Sequence, residues 1–303
     1  MITAKNVTPF RFSPSLNDSL KNLDAALAEH ALRDPGPHEL ETIGFVSPVA
    51  EGSDILARSV GQFTAFAVGI RKKILPGSVL RERVTAKARK IAEKEGRKVG
   101  GKERKRIRDE ILTEMLGQAF VKSSITGAWI DHENGWLLVE TASRSVAELV
   151  VSTLRKALGS FPAVPVAPEE SPRLLMTDWL SRGDLPEGFA LGDECELRDP
   201  SASAGARWKG AKVDLDSEEV KEHLRNGMQA FLLGLDAGGR MSFVLDEAIV
   251  LRKVNFGDVV MDELGDSHED AIGEFDANFT LIGAEVAALL NRLSDVFDIA
   301  AAP

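Results

Sequence analysis

The chain has 303 residues, of which 44% are hydrophobic, and its formal net charge at pH 7 is −10. This composition predicts a folded globular protein with one large domain or two of ordinary size. The longest strongly apolar run, 63–70, is far shorter than the ~20 residues that span a bilayer. Because the N-terminus also lacks a basic region followed by an apolar stretch, we predict a cytoplasmic protein without a membrane segment.

The first part of the chain alternates strand and helix patterns. We predict a strand around 5–12 and a helix from about Ser15, whose hydroxyl suits a helix N-cap. Two strand-like segments follow, at 42–46 and 63–70. Together these patterns indicate mixed α and β structure.

The next segment has a helical period, with apolar residues recurring every three or four positions from Leu80 to Ile91. The sequence EGRKVGGK at 95–102 should end this helix, because glycine is costly inside a helix and favourable at its C-terminal end. A second helix is predicted from about 102 to 116. The two predicted helices should form a basic helical hairpin at about 74–118. For the whole chain we predict an α+β fold of mixed α/β layers from which this hairpin protrudes.

The charge of this segment predicts its partner. Between Arg71 and Arg108 there are 16 Lys or Arg against four Glu, a local net charge of +12, which leaves −22 for the rest of the chain. One basic helix is usually only a solvated face, but two adjacent ones bring like charges together, and a polyanion is the simplest compensation. Since aromatic residues are scarce here, phosphate contacts fit better than base stacking. The candidate DNA-binding residues of the segment are Arg71, Lys72, Lys73, Arg81, Arg83, Lys87, Arg89, Lys90, Arg97, Lys98, Lys102, Arg104, Lys105 and Arg106.

Beyond residue 120 the patterns return to β structure. Strands are predicted at 127–131 and 136–141, followed by a helix at 147–158. The segment 159–172 contains four prolines and cannot hold a long helix, so we interpret it as a connection. It divides the chain into two predicted α/β halves, 1–168 and 173–303.

The second predicted half alternates helices and strands. Its predicted helices lie at 177–181, 217–225 and 285–296, and its predicted strands at 229–235, 241–245, 249–254 and 278–282.

Motifs for a cofactor or a metal site are missing from the sequence. No GxxxxGK[ST] phosphate loop occurs, and the five histidines have neither HExxH nor zinc-ligand spacing. Cys195 is the single cysteine, which excludes an intramolecular disulfide and a thiolate-rich zinc site. We therefore predict neither a cofactor nor a metal, and interpret Cys195 as a small buried apolar residue.

One acidic series near the C-terminus could suggest an enzyme. Clustered carboxylates can hold the two magnesium ions of a nuclease, but these have no recognisable nuclease spacing, so a solvated acidic loop is the prediction. The series comprises Asp258, Asp262, Glu263, Asp266, Glu269, Asp270, Glu274 and Asp276.

Short motifs in one order along the whole chain point to a known family. They include ILPGSVL at 74–80, ALGSFPAVPV at 157–166 and FDANFTLIGAEVAALL at 275–290. Through these motifs the chain resembles the RdgC family of recombination-associated proteins. The remaining motifs are AF at 119–120, WID at 129–131, NG at 134–135, TDWL at 177–180 and RWKGAKVDLDSEEV at 207–220.

The resemblance implies an architecture and an activity. It implies a homodimer of crescent-shaped subunits closed into a ring, whose positively charged hole admits duplex DNA. It also implies nucleoid association, binding of double- and single-stranded DNA with little sequence preference, and restraint of the RecA recombinase by occupation of its DNA. The resemblance further implies that the protein is not an enzyme.

The resemblance also carries over to particular residues. Arg207, Lys209 and Lys212 match the basic stretch associated with the DNA-facing side, and Phe120 matches a residue associated with subunit contact. The chain departs from the family pattern at its first residues and in the spacing around 207–212. An alternative for Phe120 is a core position within its own subunit.

Two other functions are compatible with the same residues. The basic hairpin could dock an acidic protein, which would make the chain a protein–protein adaptor. Less favoured is a metal-dependent nuclease that uses the carboxylates at 258–276.

Overall fold

The computed structural model describes residues 2–201, 205–263 and 271–302. It has an α+β fold with two antiparallel sheets, which confirms the predicted fold class at that level. The strands are β1 (Thr8–Arg11), β2 (Glu41–Val46), β3 (Ala57–Val60), β4 (Phe63–Lys73), β5 (Val121–Asp131), β6 (Trp136–Val139), β7 (Val164–Pro165), β8 (Ala190–Arg198), β9 (Arg207–Ala211), β10 (Gln229–Ala237), β11 (Met241–Asp246) and β12 (Leu251–Phe256). The helices are α1 (Leu23–Ala28), α2 (Gly77–Glu95), α3 (Gly101–Gln118), α4 (Arg144–Leu158), α5 (Pro172–Arg182), α6 (Glu218–Arg225), α7 (Asp258–Glu263) and α8 (Ala271–Phe297), and a 3₁₀ helix spans Pro14–Leu20.

The chain folds into two units that are discontinuous in sequence. Unit 1 comprises Met1–Glu29, Ser47–Ala67 and Thr126–Pro303, and unit 2 comprises His30–Val46 and Val68–Ile125. The proline-rich segment 159–172 lies inside unit 1. The division into an N-terminal and a C-terminal half stays a prediction.

The first sheet of unit 1 brings large aromatic residues into the core. Its strands follow the order β4 (up to Ala67), β5, β6, β1, β7, and β3 pairs with β4. In the antiparallel pair of β5 and β6, Trp129 lies opposite Leu138. Trp129 is fully buried, and its ring packs edge-on against Phe279 of α8 at a centroid distance of 6.4 Å. Helix α8 therefore covers one face of this sheet.

The second sheet of unit 1 has two chemically different faces. Its order is β12, β11, β10, β8, β9, with antiparallel pairing throughout. Cys195 and Leu197 of β8 are fully buried in the core, which confirms the prediction for Cys195, and burial raises the pKa of its thiol to about 12. Because side chains alternate along a strand, Glu194, Glu196 and Arg198 lie on the opposite face.

The strand predicted at 278–282 is wrong, because these residues belong to α8. The local sequence NFTLI is rich in residues that favour strands. Over a longer window, however, Phe275, Phe279, Ile282 and Val286 are buried at helical spacing, so they pack as one face of a helix. Although α8 is 27 residues long, no helix within the described ranges is long and apolar enough to cross a membrane.

Unit 2 carries the basic segment. In the strand order of this unit, β4 (from Val68) lies between β2 and the first part of β5. Helices α2 and α3 stand at the two places where basic helices are predicted, separated by residues 96–100. They pack on each other through a small apolar cluster that contains Leu80, Val84, Ile107 and Ile111.

Candidate nucleic-acid interface

The apolar stripes of α2 and α3 determine where the cations point. Leu80, Val84 and Ala88 of α2 are buried against Ile107 and Ile111 of α3. Because these positions recur every three or four residues, they use one narrow face of each helix. The Lys and Arg side chains between them are therefore exposed on the other faces.

Local backbone geometry allows the sharp break between the two helices. Helix α2 ends at Gly96, whose φ of 65° is the left-handed conformation that glycine adopts without steric cost. Helix α3 then begins after Gly100. Arg97 in the connection donates hydrogen bonds to Glu103 of α3, at 2.7 and 2.9 Å. The glycine-rich sequence therefore acts as a short connection held by an ion pair.

The helix pair keeps a positive balance, although its last turns are acidic. Residues 77–118 contain thirteen Lys or Arg and seven Asp or Glu, a net charge of +6. Four of these cations are ion-paired, since Lys87 and Arg106 share Glu110, while Arg89 and Arg97 pair with nearby glutamates. The other nine have no carboxylate partner among the described residues, and they are Arg81, Arg83, Lys90, Lys94, Lys98, Lys102, Arg104, Lys105 and Arg108.

Four of the unpaired cations line a groove between the two helices, which we call the cationic groove. Arg81 comes from α2, and Arg104, Lys105 and Arg108 come from α3. The groove has a volume of about 410 Å³, and none of the described residues that line it carries a carboxylate. Its other lining residues are Leu80, Val84, Thr85 and Gly101.

Two guanidinium groups of the groove, those of Arg81 and Arg104, are held by neutral groups. Arg104 donates to the Thr85 hydroxyl at 3.3 Å, and Arg81 donates to the carbonyl of Gly77 at 3.2 Å. Each guanidinium keeps most of its five N–H donors for another acceptor. A phosphate group accepts such donors, often two from one arginine. The groove is therefore chemically suited to a phosphate backbone.

Sequence reasoning missed Arg108 as a candidate site residue. Arg108 lies four positions after Arg104, so both side chains lie on the same face of α3 and line the cationic groove. This i, i+4 spacing is visible in the sequence and could have identified Arg108.

The three candidate DNA-binding residues on β4 each interact with another group of unit 2. Arg71 pairs with Asp34 at 2.7 Å, and Lys72 pairs with Glu41 at 2.8 Å. Lys73 is buried, and its ammonium donates to the backbone carbonyls of residues 36 and 37 at 2.6 and 2.9 Å. An ammonium held in this way is not presented to a ligand, so we leave Lys73 out of the interface proposed below.

The candidate DNA-binding residues on and just after β9 lie in unit 1. Arg207 donates to the buried carboxylate of Glu196, and Lys209 lies 3.6 Å from Glu194. Lys212, just after β9, is exposed and adopts a positive φ of 57°. Arg207 and Lys209 are thus neutralised by acidic residues that the sequence reasoning did not single out.

Phe120 lies between α3 and β5 and is one of the most exposed apolar residues of the chain. The residue is 84% exposed, so it is not a core residue of its own subunit. Its carbonyl accepts a hydrogen bond from the N–H of Ile74 at 2.8 Å, which fixes the backbone. The neighbouring Val121 and Ile125 are also exposed. Each of these three residues is an exposed apolar group that a partner could cover.

The acidic series provides no assembled metal site in the described part of the chain. Asp258, Asp262 and Glu263 belong to α7, and Asp276 of α8 forms a bidentate ion pair with Arg58. No group of three or more His, Cys, Asp or Glu residues within the described ranges is placed to hold a metal ion. Asp266, Glu269 and Asp270 lie outside the described residues.

Comparison with known proteins gives matches over nearly the whole chain. A family model described as "Putative exonuclease, RdgC" matches residues 3–300. Recombination-associated protein RdgC of Xanthomonas campestris pv. campestris (strain B100) is 41% identical over 300 residues, which cover 98% of each chain. The protein of the same name from Xanthomonas oryzae pv. oryzae (strain MAFF 311018) is 40% identical over 98% of this chain and 99% of its own. That from Xylella fastidiosa (strain M23) is 42% identical over 94% of each chain.

Proposed function

This chain belongs to the RdgC family, and from that premise we propose that it binds DNA through the phosphate backbone without reading the base sequence. The observation that carries the proposal is the cationic groove, where Arg81, Arg104, Lys105 and Arg108 have no carboxylate beside them in the described part of the chain. Lys and Arg that contact phosphates displace condensed counterions, and this contribution to affinity is independent of base sequence. The other unpaired cations of α2 and α3 add to the positive charge of the helix pair.

The first test is the salt dependence of binding. If the protein neutralises about six phosphates, a plot of log affinity against log salt concentration should have a slope near −5. Affinities for duplexes of equal length and different sequence should be nearly equal. Fluorescence anisotropy with labelled duplexes over a range of salt concentrations measures both quantities. A flat salt response would contradict the proposal and favour the adaptor function, in which the basic helices dock an acidic protein.

We further propose that the protein acts as a homodimer closed into a ring around duplex DNA, with Phe120 in the subunit contact. Support comes from the exposure of Phe120 and of the apolar residues beside it. A ring would add topological retention to phosphate contacts that are individually weak. It would also explain how a protein without base contacts stays on nucleoid DNA.

In this proposal the protein limits RecA by occupying DNA. ATP hydrolysis by RecA on single-stranded DNA should fall when the protein is bound first, and it should recover fully when more DNA is added. Recovery is expected because the two proteins compete for the same phosphates. Inhibition that persists in excess DNA would instead indicate direct contact with RecA.

The description of the matching family favours testing one alternative, an exonuclease. Purified protein would be incubated with end-labelled linear DNA and magnesium ions, with a chelator as the control. We propose that the chain is not an enzyme, and we therefore expect intact DNA in both samples. Magnesium-dependent shortening from the ends would show that the chain is a nuclease and would direct attention to the carboxylates of 258–276.

A further inference from the structure

The outer face of the second sheet of unit 1 carries a ladder of charges. Glu194, Glu196 and Arg198 of β8 lie on the face opposite the buried Cys195. In the antiparallel pairing of β8 with β9, Glu196 is opposite Lys209 and Arg198 is opposite Arg207. Opposite residues share a face, so these five side chains occupy one surface. We call it the sheet face.

On the sheet face the carboxylates are buried and the cations are exposed. The carboxylates lie inside, since the side chain of Glu196 is 0% exposed and that of Glu194 is 10% exposed. The cations lie outside, with side-chain exposures of 41% for Arg198, 58% for Arg207, 50% for Lys209 and 59% for Lys253 of β12. A ligand that approaches this face therefore meets cations first.

Each carboxylate is shared by two cations. Glu196 accepts hydrogen bonds from Arg198, at 2.6 Å from its Nε, and from Arg207. Glu194 accepts from the Lys253 ammonium at 2.8 Å to its Oε1, and Lys209 lies 3.6 Å away. Burial by itself would raise the pKa of Glu196, but the hydrogen bonds from Arg207 and Arg198 outweigh it and hold the pKa below its ordinary value. Glu196 is therefore ionised at neutral pH.

The sheet face thus differs from the cationic groove in one decisive respect. In the groove, Arg81, Arg104, Lys105 and Arg108 have no carboxylate among the described residues, whereas every strand cation named on the sheet face is already paired. The five side chains of the sheet face and Lys253, which pairs with Glu194, comprise four cations and two anions, so their net charge is only +2. A paired arginine retains N–H donors for a phosphate, but the neighbouring carboxylate repels that phosphate.

We propose that Glu194 and Glu196 are internal counterions that compete with DNA phosphates for the cations of the sheet face, so that this face holds DNA weakly. This inference rests on the proposed function. It makes the sheet face a low-affinity contact whose strength is limited by the two glutamates. DNA on such a face exchanges its phosphate contacts readily.

The test removes each carboxylate charge while keeping the size of the side chain, in the variants Glu196→Gln and Glu194→Gln. Each should gain about one phosphate contact, which steepens the salt slope by about 0.9 and tightens duplex binding roughly eightfold at about 100 mM salt. The matched control is Glu148→Gln on α4, which makes the same charge change at an exposed i, i+4 pair with Arg144. The control should bind as the wild type does.

Thermal melting followed by circular dichroism shows which variants are folded. A purely structural role for Glu196 would lower the melting temperature and leave the affinity of the folded protein unchanged, and that result would overturn the inference. Weaker binding by folded Glu196→Gln would also overturn it. If Glu196→Gln does not fold, the affinity of folded Glu194→Gln for duplex DNA tests the inference, and binding no tighter than that of the wild type overturns it.

The same measurements separate the two proposals. A wild-type protein that does not bind duplex DNA overturns the proposed function and this inference with it. A wild-type protein that binds with a steep salt slope, while neither glutamine variant binds more tightly, overturns this inference alone.

Discussion

Reversing three cations of the groove, in the variant Arg104→Glu, Lys105→Glu, Arg108→Glu, is expected to weaken duplex binding by at least about a hundredfold at ~100 mM salt. Three lost phosphate contacts reduce the salt slope by about 2.7, and at this salt concentration that change corresponds to a factor of this order. The fold should persist, because the three side chains are exposed and exposed substitutions usually change stability by less than about 1 kcal/mol. Anisotropy titrations and thermal melts measure the two effects.

The control for this variant carries the same charge change elsewhere. Arg144, Lys156 and Arg182 are exposed on α4 and α5 of unit 1. Their triple reversal to Glu lowers the net charge by the same six units and should leave affinity within a few fold. Equal losses in both variants would show that overall charge controls binding. Undiminished binding by the folded groove variant would show that the helix pair is only a solvated face.

Replacing Phe120 by serine is expected to weaken the proposed dimer by roughly thirtyfold or more. Truncation of an aromatic residue at the centre of an interface commonly costs about 2 kcal/mol or more of association free energy. Because a two-fold contact uses the same patch on both subunits, one substitution acts twice. The melting temperature of the monomer should hardly change, since the residue is 84% exposed. Sedimentation across a dilution series measures the dimer constant.

DNA topology provides a second measurement on Phe120→Ser. An opened ring should lose retention on closed-circular DNA, whereas linear DNA should lose less affinity because the phosphate contacts of each subunit remain. The matched control is Leu174→Ser on α5, another exposed apolar side chain, at 54% exposure. It should dimerise as the wild type does. An unchanged dimer constant for Phe120→Ser would remove Phe120 from the interface.

Much of the secondary structure follows from local pattern alone. Helices α2 and α3 are predicted from apolar spacing and from the glycines between them, because both signals act within a few residues. Residues 278–282 show the limit of local pattern, because this short window favours a strand whereas the longer helical stripe around it determines the structure. Strands β8 and β9 are also missing from the sequence-based prediction, although Cys195 and Leu197 alternate with charged residues as a half-buried strand requires.

By itself, the sequence determines that positive charge concentrates at 71–108 and that apolar spacing turns the Lys and Arg of α2 and α3 outward, because both depend only on residue types and their local order. Only the tertiary structure decides which cations are free. Lys73 donates hydrogen bonds to backbone carbonyls, and Arg207 is paired with Glu196. Arg108 lines the cationic groove and has no carboxylate partner among the described residues. The Coulomb energy and the desolvation of each side chain depend on distances in space, and the fold brings together partners that are far apart in sequence.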